Sequence, residues 1–210
     1  MLENVEVLFH SSIRINKGEI IYIDPYKIEK NYNDADIIFI THDHFDHYSE
    51  EDINKVKKES TIIVVTKDLV EKSLNLSFDR NSIIDIEPNE FNEIGKIKFQ
   101  TIASYNTNKN FHPKTNGWVG YIIELDGVKY YIAGDTDITE ENKQVKCDVA
   151  LVPVGGTYTM TYNEAAELIN IIKPKIAVPI HYGSVAGEKE DGQRFVELID
   201  SDIQGKVLMK

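Results

Sequence analysis

The alternation of apolar and polar positions divides this 210-residue chain into short strands followed by amphipathic segments, and it does so twice. In the first half, runs rich in β-branched residues cover Val5 to Phe9, Ser12 to Ile15, Ile20 to Ile23 and Ile37 to Ile40. A turn at Asn16-Lys17-Gly18 joins the second run to the third. Ser49, followed by Glu50-Glu51-Asp52, marks a capped helix start, and the polar spacing beyond it predicts a surface helix through Lys58. A strand over Ile62 to Val65 and a helix over Lys67 to Leu74 come next.

The second half opens with strands over Ile83 to Ile86 and Ile97 to Ala103. Trp118 to Leu125 and Val128 to Ala133 then flank Asp126-Gly127, a pair that tolerates positive φ and so suits a two-residue hairpin turn. A strand over Val149 to Val152, a helix from a capping Thr161 to Ile172 stopped by Pro174, a strand over Ile176 to Ile180 and a helix near Gly192 to Ile199 complete the chain. Strand meanders followed by helices, twice over, predict an α+β fold with two sheets face to face and helices outside, a four-layer αββα sandwich. With no residue-level repeat, low-complexity stretch or linker, the expected organisation is one domain over residues 1–210, or two fused halves sharing a core.

Composition narrows the setting. At 41% hydrophobic and 28% charged residues the chain is ordinary for a globular protein, and at this length folding buries about 70% of the unfolded surface without a staple. Cys147 is the only cysteine, which excludes a disulfide within the chain and points to a reducing, cytoplasmic setting. The acidic start, Met1 to Glu6, lacks the basic opening of a secretory signal, and no apolar run reaches bilayer-spanning length, so no membrane insertion is expected. A formal charge of −12 argues against a nucleic-acid partner, because phosphate backbones are held through accumulated Lys and Arg.

The chemistry concentrates in His42, Asp43, His44, Phe45, Asp46 and His47, directly after the apolar run 37–40. Imidazole and carboxylate ligate zinc, manganese or iron, and three of the chain's six histidines fall in this one segment. In an extended segment His42 and His44 point the same way, and a turn after Phe45 lets Asp46 and His47 face a second ion several ångströms away. The bland alternative is a solvated polar loop. Asp135, leaving a strand through Gly134, and His181, closing the run 176–180, stand where strands end; each alone is weak evidence, and together they suggest a shared rim.

The order HxHxDH, then Gly134-Asp135-Thr136, then a histidine closing a late strand, resembles the metallo-β-lactamase fold superfamily over essentially the whole chain. That resemblance implies an αββα sandwich with a one- or two-metal site at one edge. It implies His42 and His44 on the first ion, Asp46 and His47 on the second, Asp135 bridging, and His181 completing the second. Phe9-His10-Ser11-Ser12 and Ile23-Asp24-Pro25 resemble the opening of the branch that includes ascorbate-6-phosphate lactonase and the N-acyl phosphatidylethanolamine phospholipase D type, with Phe9 in place of a glycine. Asn106, His112, Gly117, Trp118 and Gly120 resemble small members known only as metal-dependent hydrolases.

One departure stands out. The superfamily places a third first-site histidine before the hairpin leading to Asp135, and the matching stretch, Ala103-Ser104-Tyr105-Asn106-Thr107-Asn108, has none. Three readings of nearby His112 stay open: ligand, substrate-facing residue or plain loop histidine; Asn106 is an amide alternative or a substrate contact. His10, as a strand-closing histidine, reads most simply as a hydrogen-bonded structural group, and only the resemblance makes it a substrate contact or ligand-orienting residue. Gly156, in Gly155-Gly156-Thr157, is a candidate to present its N–H to an oxyanion or phosphate, or is part of a turn. The Tyr130-Tyr131 pair reads as half-buried hairpin surface.

The expected activity is hydrolysis by a water activated on one or two divalent ions, zinc first with manganese or iron as alternatives. Asp46 orients the attacking hydroxide, His112 is the candidate proton donor to the leaving group, and the resemblance implies a lactone or phosphodiester. Only 29 residues follow His181, so recognition rests on short loops, a small-molecule substrate is expected, and a homo-oligomer is left open. A second reading is a metal-binding sensor or scaffold that has lost turnover, and a third, weaker one is redox chemistry on a di-iron centre.

Overall fold

The structure, a computed structural model, describes residues 1–209. The chain separates into two compact units, Leu2–Glu87 with Met209, and Met1 with Pro88–Leu208. Each contains one mixed sheet, and with four α-helices among the described residues the chain is α+β, as the pattern predicts.

The N-terminal unit has six strands in chain order: β1 (Val5–Phe9), β2 (Ser12–Lys17), β3 (Glu19–Ile23), β4 (Ala35–Phe39), β5 (Lys57–Thr66) and β6 (Ile83–Ile86). The first three pair antiparallel and the last three join in parallel. Connection length explains the switch: β1, β2 and β3 are linked by tight turns, the first parallel step is made by the long helix-free connection 24–34, and α1 (Glu50–Val56) and α2 (Val70–Asn75) lie in the two later crossovers. Ile37, Ile38, Phe39 and Ile40 are all buried, which is why this run shows no alternation. Each such side chain contributes roughly 1.5–3 kcal/mol on burial.

Ser49 caps α1 as predicted, accepting the Asp52 N–H at 3.3 Å. The Asp52 carboxylate also accepts the backbone N–H groups of Lys27 and Ile28 at 2.8 and 3.0 Å, tying the β3–β4 connection to the helix. The helix predicted through Lys58 ends at Val56, because Lys57 already pairs with Ala35 and Thr61 donates to the Ala35 carbonyl at 2.6 Å. Sheet pairing overrides helix propensity here. The helix predicted from Lys67 opens as a 3₁₀ turn, with α geometry only from Val70. The Ile83–Ile86 strand, predicted to open the second half, instead completes the first sheet beside β5.

The C-terminal unit has β7 (Phe91–Ile94), β8 (Ile97–Ala103), β9 (Val119–Leu125), β10 (Val128–Ile132), β11 (Val149–Pro153), β12 (Ile176–Ile180) and β13 (Gln204–Gly205), lying side by side in that order. β7 to β10 form an antiparallel meander, and β10 to β13 pair in parallel. Asp126 and Gly127 both have positive φ, 51° and 73°, as the tight hairpin turn demands. The sequence pattern misses β7, an edge strand with no fully buried position and polar residues at its centre, and β13, which has only two residues. Tyr130 and Tyr131 are fully buried, not half-buried, because β10 is an interior strand between β9 and β11.

Two helices serve the parallel crossovers, α3 (Tyr162–Ile172) and α4 (Asp191–Leu198). Thr161 and Glu164 form a reciprocal capping box at the start of α3, and losing the Thr161 hydroxyl is expected to cost about 1 kcal/mol. Both units thus follow one plan, a meander continued by parallel strands, and in such sheets ligands gather at the C-terminal ends of the parallel strands. No helix of the described residues is long and apolar enough to cross a membrane.

Candidate metal centre

In the N-terminal unit the histidine segment leaves the C-terminal end of β4 and turns at once. The N–H groups of His47 and Tyr48 both donate to the His44 carbonyl, at 2.9 and 2.8 Å, so the turn begins at His44 and not after Phe45. The His42 ring lies 4.7 Å from the His44 ring and 4.0 Å from the His47 ring, centroid to centroid. The His47 ring thus packs directly beside that of His42.

Two buried residues beneath this loop set the tautomers. Asp24, at the end of β3, accepts the Thr41 N–H on Oδ1 at 2.8 Å, and on Oδ2 the Thr41 hydroxyl and His47 Nδ1, both at 2.7 Å. A hydroxyl has one hydrogen; with that given to Asp24, Thr41 Oγ1 can only accept from His42 Nδ1, at 2.9 Å. Both imidazoles are thus held with Nδ1 protonated and the lone pair on Nε2, the form a metal ligand needs. Burial pushes the Asp24 carboxyl above its ordinary range, and the bonds from His47 and Thr41 pull against that shift.

Asp46 is buried with Oδ2 3.3 Å from His10 Nε2 and 3.7 Å from His47 Nε2. His10, read as a structural group or, by resemblance, as a ligand-orienting or substrate-contact residue, is fully buried in the β1–β2 turn and lies against Asp46. Asp43 turns away to Lys72, 3.4 Å distant.

In the C-terminal unit, Asp135 follows β10 through Gly134, whose φ of 65° suits glycine. Its Oδ2 lies 3.3 Å from His112 Nε2 and 3.0 Å from His181 Nε2. Asn106 Oδ1 accepts both the backbone N–H of His112 at 3.0 Å and its ring Nδ1 at 3.1 Å, while the Asn106 N–H donates to the His112 carbonyl at 2.8 Å. That places the His112 lone pair on Nε2, toward Asp135. The Asn106 amide donates to the Tyr158 carbonyl at 2.9 Å. Asn106, weighed as an amide ligand or substrate contact, therefore spends both side-chain polar atoms inside the protein, orienting His112.

His181 closes β12 in the left-handed region, at φ 57°. A Cβ on Gly155 would lie 2.3 Å from the His181 carbonyl oxygen, so only glycine fits beside it. The neighbouring loop closes on itself: the Gly156 N–H donates to the Met160 carbonyl and the Thr157 N–H to the Gly155 carbonyl, each at 3.0 Å. The Gly156 N–H proposed for an oxyanion is thus already committed. His10 and Asp24 share the positive φ of His181, at 53° and 46°. Such backbone costs about 1–3 kcal/mol per residue and gathers at functional sites.

The donor set, imidazole Nε2 with carboxylate oxygen, suits zinc, manganese or iron. The family model described as a β-lactamase superfamily domain matches residues 4–181. The chain belongs to the metallo-β-lactamase superfamily. Among its relatives, a UPF0173 metal-dependent hydrolase of Thermoplasma acidophilum is 32% identical, the match covering 94% of this chain and 92% of the relative. A second, from Saccharolobus solfataricus, is 30% identical over 84% of this chain and 78% of its own. A crystal structure from Parabacteroides distasonis, 30% identical, matches with a TM-score of 0.82 over 98% of this chain and 93% of that one. A metallo hydrolase of Ignicoccus hospitalis shares the fold, with a TM-score of 0.79 at 21% identity over 98% of this chain and 94% of that one. This member of the superfamily is an enzyme of the metal-dependent hydrolase group.

Three residues that matter to the geometry carried no assigned role in the sequence. Thr41 is marked only by its position after a strand, and Asp24 only by its strand-end place in Ile23-Asp24-Pro25, which the branch resemblance includes. Asp137 is buried, and its carboxylate accepts the Thr107 N–H at 2.8 Å and Lys109 Nζ at 2.6 Å, pinning the loop that carries Asn106 toward His112. The available signal was a second acid two residues beyond Asp135.

Proposed function

We propose that the two units act as one hydrolase domain, in which ligands from both hold one or two divalent ions, zinc first. His42, His44 and His112 are assigned to one ion, Asp46, His47 and His181 to the other, and Asp135 to both. Histidine–aspartate clusters able to bind a metal support this reading. The observation that carries it is the fixing of His42, His47 and His112 in one tautomer by Thr41, Asp24 and Asn106. A solvated polar loop has no need of such buried anchors.

When bound, the dication lowers the pKa of water toward neutrality and polarises the electrophile. Asp46, steadied by His10, orients the attacking water and accepts its proton. His112 belongs with the ion and not the leaving group, because its Nδ1 proton is committed to Asn106. The substrate is a lactone or a phosphodiester of small size, hydrolysed in the cytoplasm. Cys147, pushed up to about 12 by burial, stays a thiol at neutral pH and takes no part.

Turnover of lactone and phosphodiester substrates by the metal-loaded protein tests this. Replacing His42→Ala together with His44→Ala is expected to abolish it; hydrolysis surviving in that variant in metal-stripped buffer contradicts it. Bound metal with no turnover of lactone, thioester or phosphodiester favours a sensor instead.

A further inference from the structure

We propose that this chain pairs with a second copy of itself through the open face of its β7–β10 meander. Every residue involved belongs to the C-terminal unit, and the reaction plays no part in the pairing.

Strand register builds the surface. Glu93 on β7 pairs with Lys98 on β8, Lys98 with Glu124 on β9, and Glu124 with Lys129 on β10, so the four side chains form one row across four antiparallel strands. All four line a single cavity of about 660 Å³ and therefore share one face. At the usual spacing of neighbouring strands the row is roughly 14 Å long. Phe99, Tyr121 and Ile123, pointing the other way, are buried, whereas Glu93, Lys98 and Lys129 are exposed and Glu124 is half-buried. Helices α3 and α4 belong to the parallel crossovers and not to the meander.

The charge order selects the occupant. Lysine and glutamate alternate along the row, so a two-fold axis parallel to the strands and midway between β8 and β9 sets every lysine opposite a glutamate of the second copy. Lys98 then faces Glu124 and Lys129 faces Glu93, each pair formed twice, as an isologous interface requires. Two sheets stacked with their strands nearly aligned is a standard packing. The chain as a whole carries a formal charge of −12, which drives copies apart, but this row sums to zero and does not. A strongly charged partner of either sign gains nothing from it.

The neighbouring row supplies a knob and a hollow. Phe91, Gln100 and Ile122 are paired in register beside the charges, and Phe91, on the edge strand, is 79% exposed. A second cavity of about 360 Å³, lined by Ile102, Ile122 and Val145, extends from β8 across β9 to the 141–146 segment beside β10. The same axis carries Phe91 of each copy toward that end of the other. An aromatic anchor entering a hollow supplies most of the affinity in such interfaces, and surrounding ion pairs fix the register. Alternating charge also keeps an exposed sheet edge soluble, but solubility gives no reason for a hollow at the position related by symmetry to Phe91.

Sedimentation equilibrium of the full chain with zinc present reads the assembly directly. The expected species is a dimer, twice the 24.0 kDa of one chain. Lys98→Glu and Glu124→Lys each set like charges face to face and are expected to weaken self-association at least about tenfold. Mixed in equal amounts, these two variants regain every lysine–glutamate contact and should pair with each other far more tightly than either does with itself, a result that misfolding cannot produce. Phe91→Ala should weaken pairing roughly tenfold or more. A monomer at all concentrations from about 1 to 100 μM overturns the proposal. So does a dimer whose affinity none of the three substitutions moves, or a mixture of the two charge variants, each folded by circular dichroism, that fails to pair.

Discussion

The two units solve one chemical problem in opposite ways. In the N-terminal unit four candidate ligands arrive together in residues 42–47, and their orientation comes from outside the loop, through Asp24, Thr41 and His10. In the C-terminal unit His112, Asp135 and His181 arrive from three separate strand connections, and two imidazoles meet on one carboxylate. A short loop can carry many ligands but cannot aim them; scattered ligands are aimed by the sheet but need a common hub. Function should therefore depend on several anchors in the first unit, and in the second on the hub more than on its single anchor, Asn106.

The hub gives the largest effect. Asp135→Ala is expected to lower kcat/KM well beyond the roughly 100-fold that loss of an outer partner costs, with metal content falling in parallel by mass spectrometry. A loss no larger than that of the anchor variants erases the distinction between the units. Next come the anchors: Asp24→Asn, which weakens the hold on two imidazoles, should reduce metal affinity about 10–100-fold in a chelator titration. Asn106→Ala, which releases one imidazole, should sit near the lower end of that range.

Packing comes third. Gly155→Ala forces a Cβ against the His181 carbonyl and is expected to destabilise the protein by about 1–3 kcal/mol, measured by denaturant unfolding. The smallest effect concerns Asp52. Burial alone would raise its pKa, but the bonds from Lys55, Ser49, Ile28 and Lys27 outweigh it and hold the carboxyl below the ordinary range. A depressed folded pKa means stability that is fully present above the ordinary carboxylate value, about 3.9, and is lost as pH falls through the lower folded value. Asp52→Asn should flatten that acid limb by about 1 kcal/mol or less once solvent screening is allowed for.

The same contrast explains what the sequence made legible. The cluster of candidate ligands behind an apolar strand stands out directly, as do the hairpin at Asp126-Gly127 and the Thr161 capping box, because each is a local pattern with a local cause. The anchors cannot: Asp24 and His47 are 23 positions apart, and nothing in either segment announces the bond between them. Asn106 was visible as a polar residue in the stretch lacking a histidine, yet its role depends on a loop that brings His112 back to it. Gly156 read as an N–H donor because sequence shows a flexible loop and not its closure onto Met160. Helix α1 ended early for a similar reason, since the pairing of Lys57 with Ala35 is a property of the sheet.

The central claim is that ligands from both units hold the same ions. A crystal structure of the metal-loaded enzyme, with anomalous differences recorded at the zinc, manganese and iron edges, tests it most directly. One or two peaks are predicted, ligated by His42 and His44 from the first unit and by Asp135 with His112 or His181 from the second. Peaks touched by residues of one unit alone, or no peak at these residues, would contradict it.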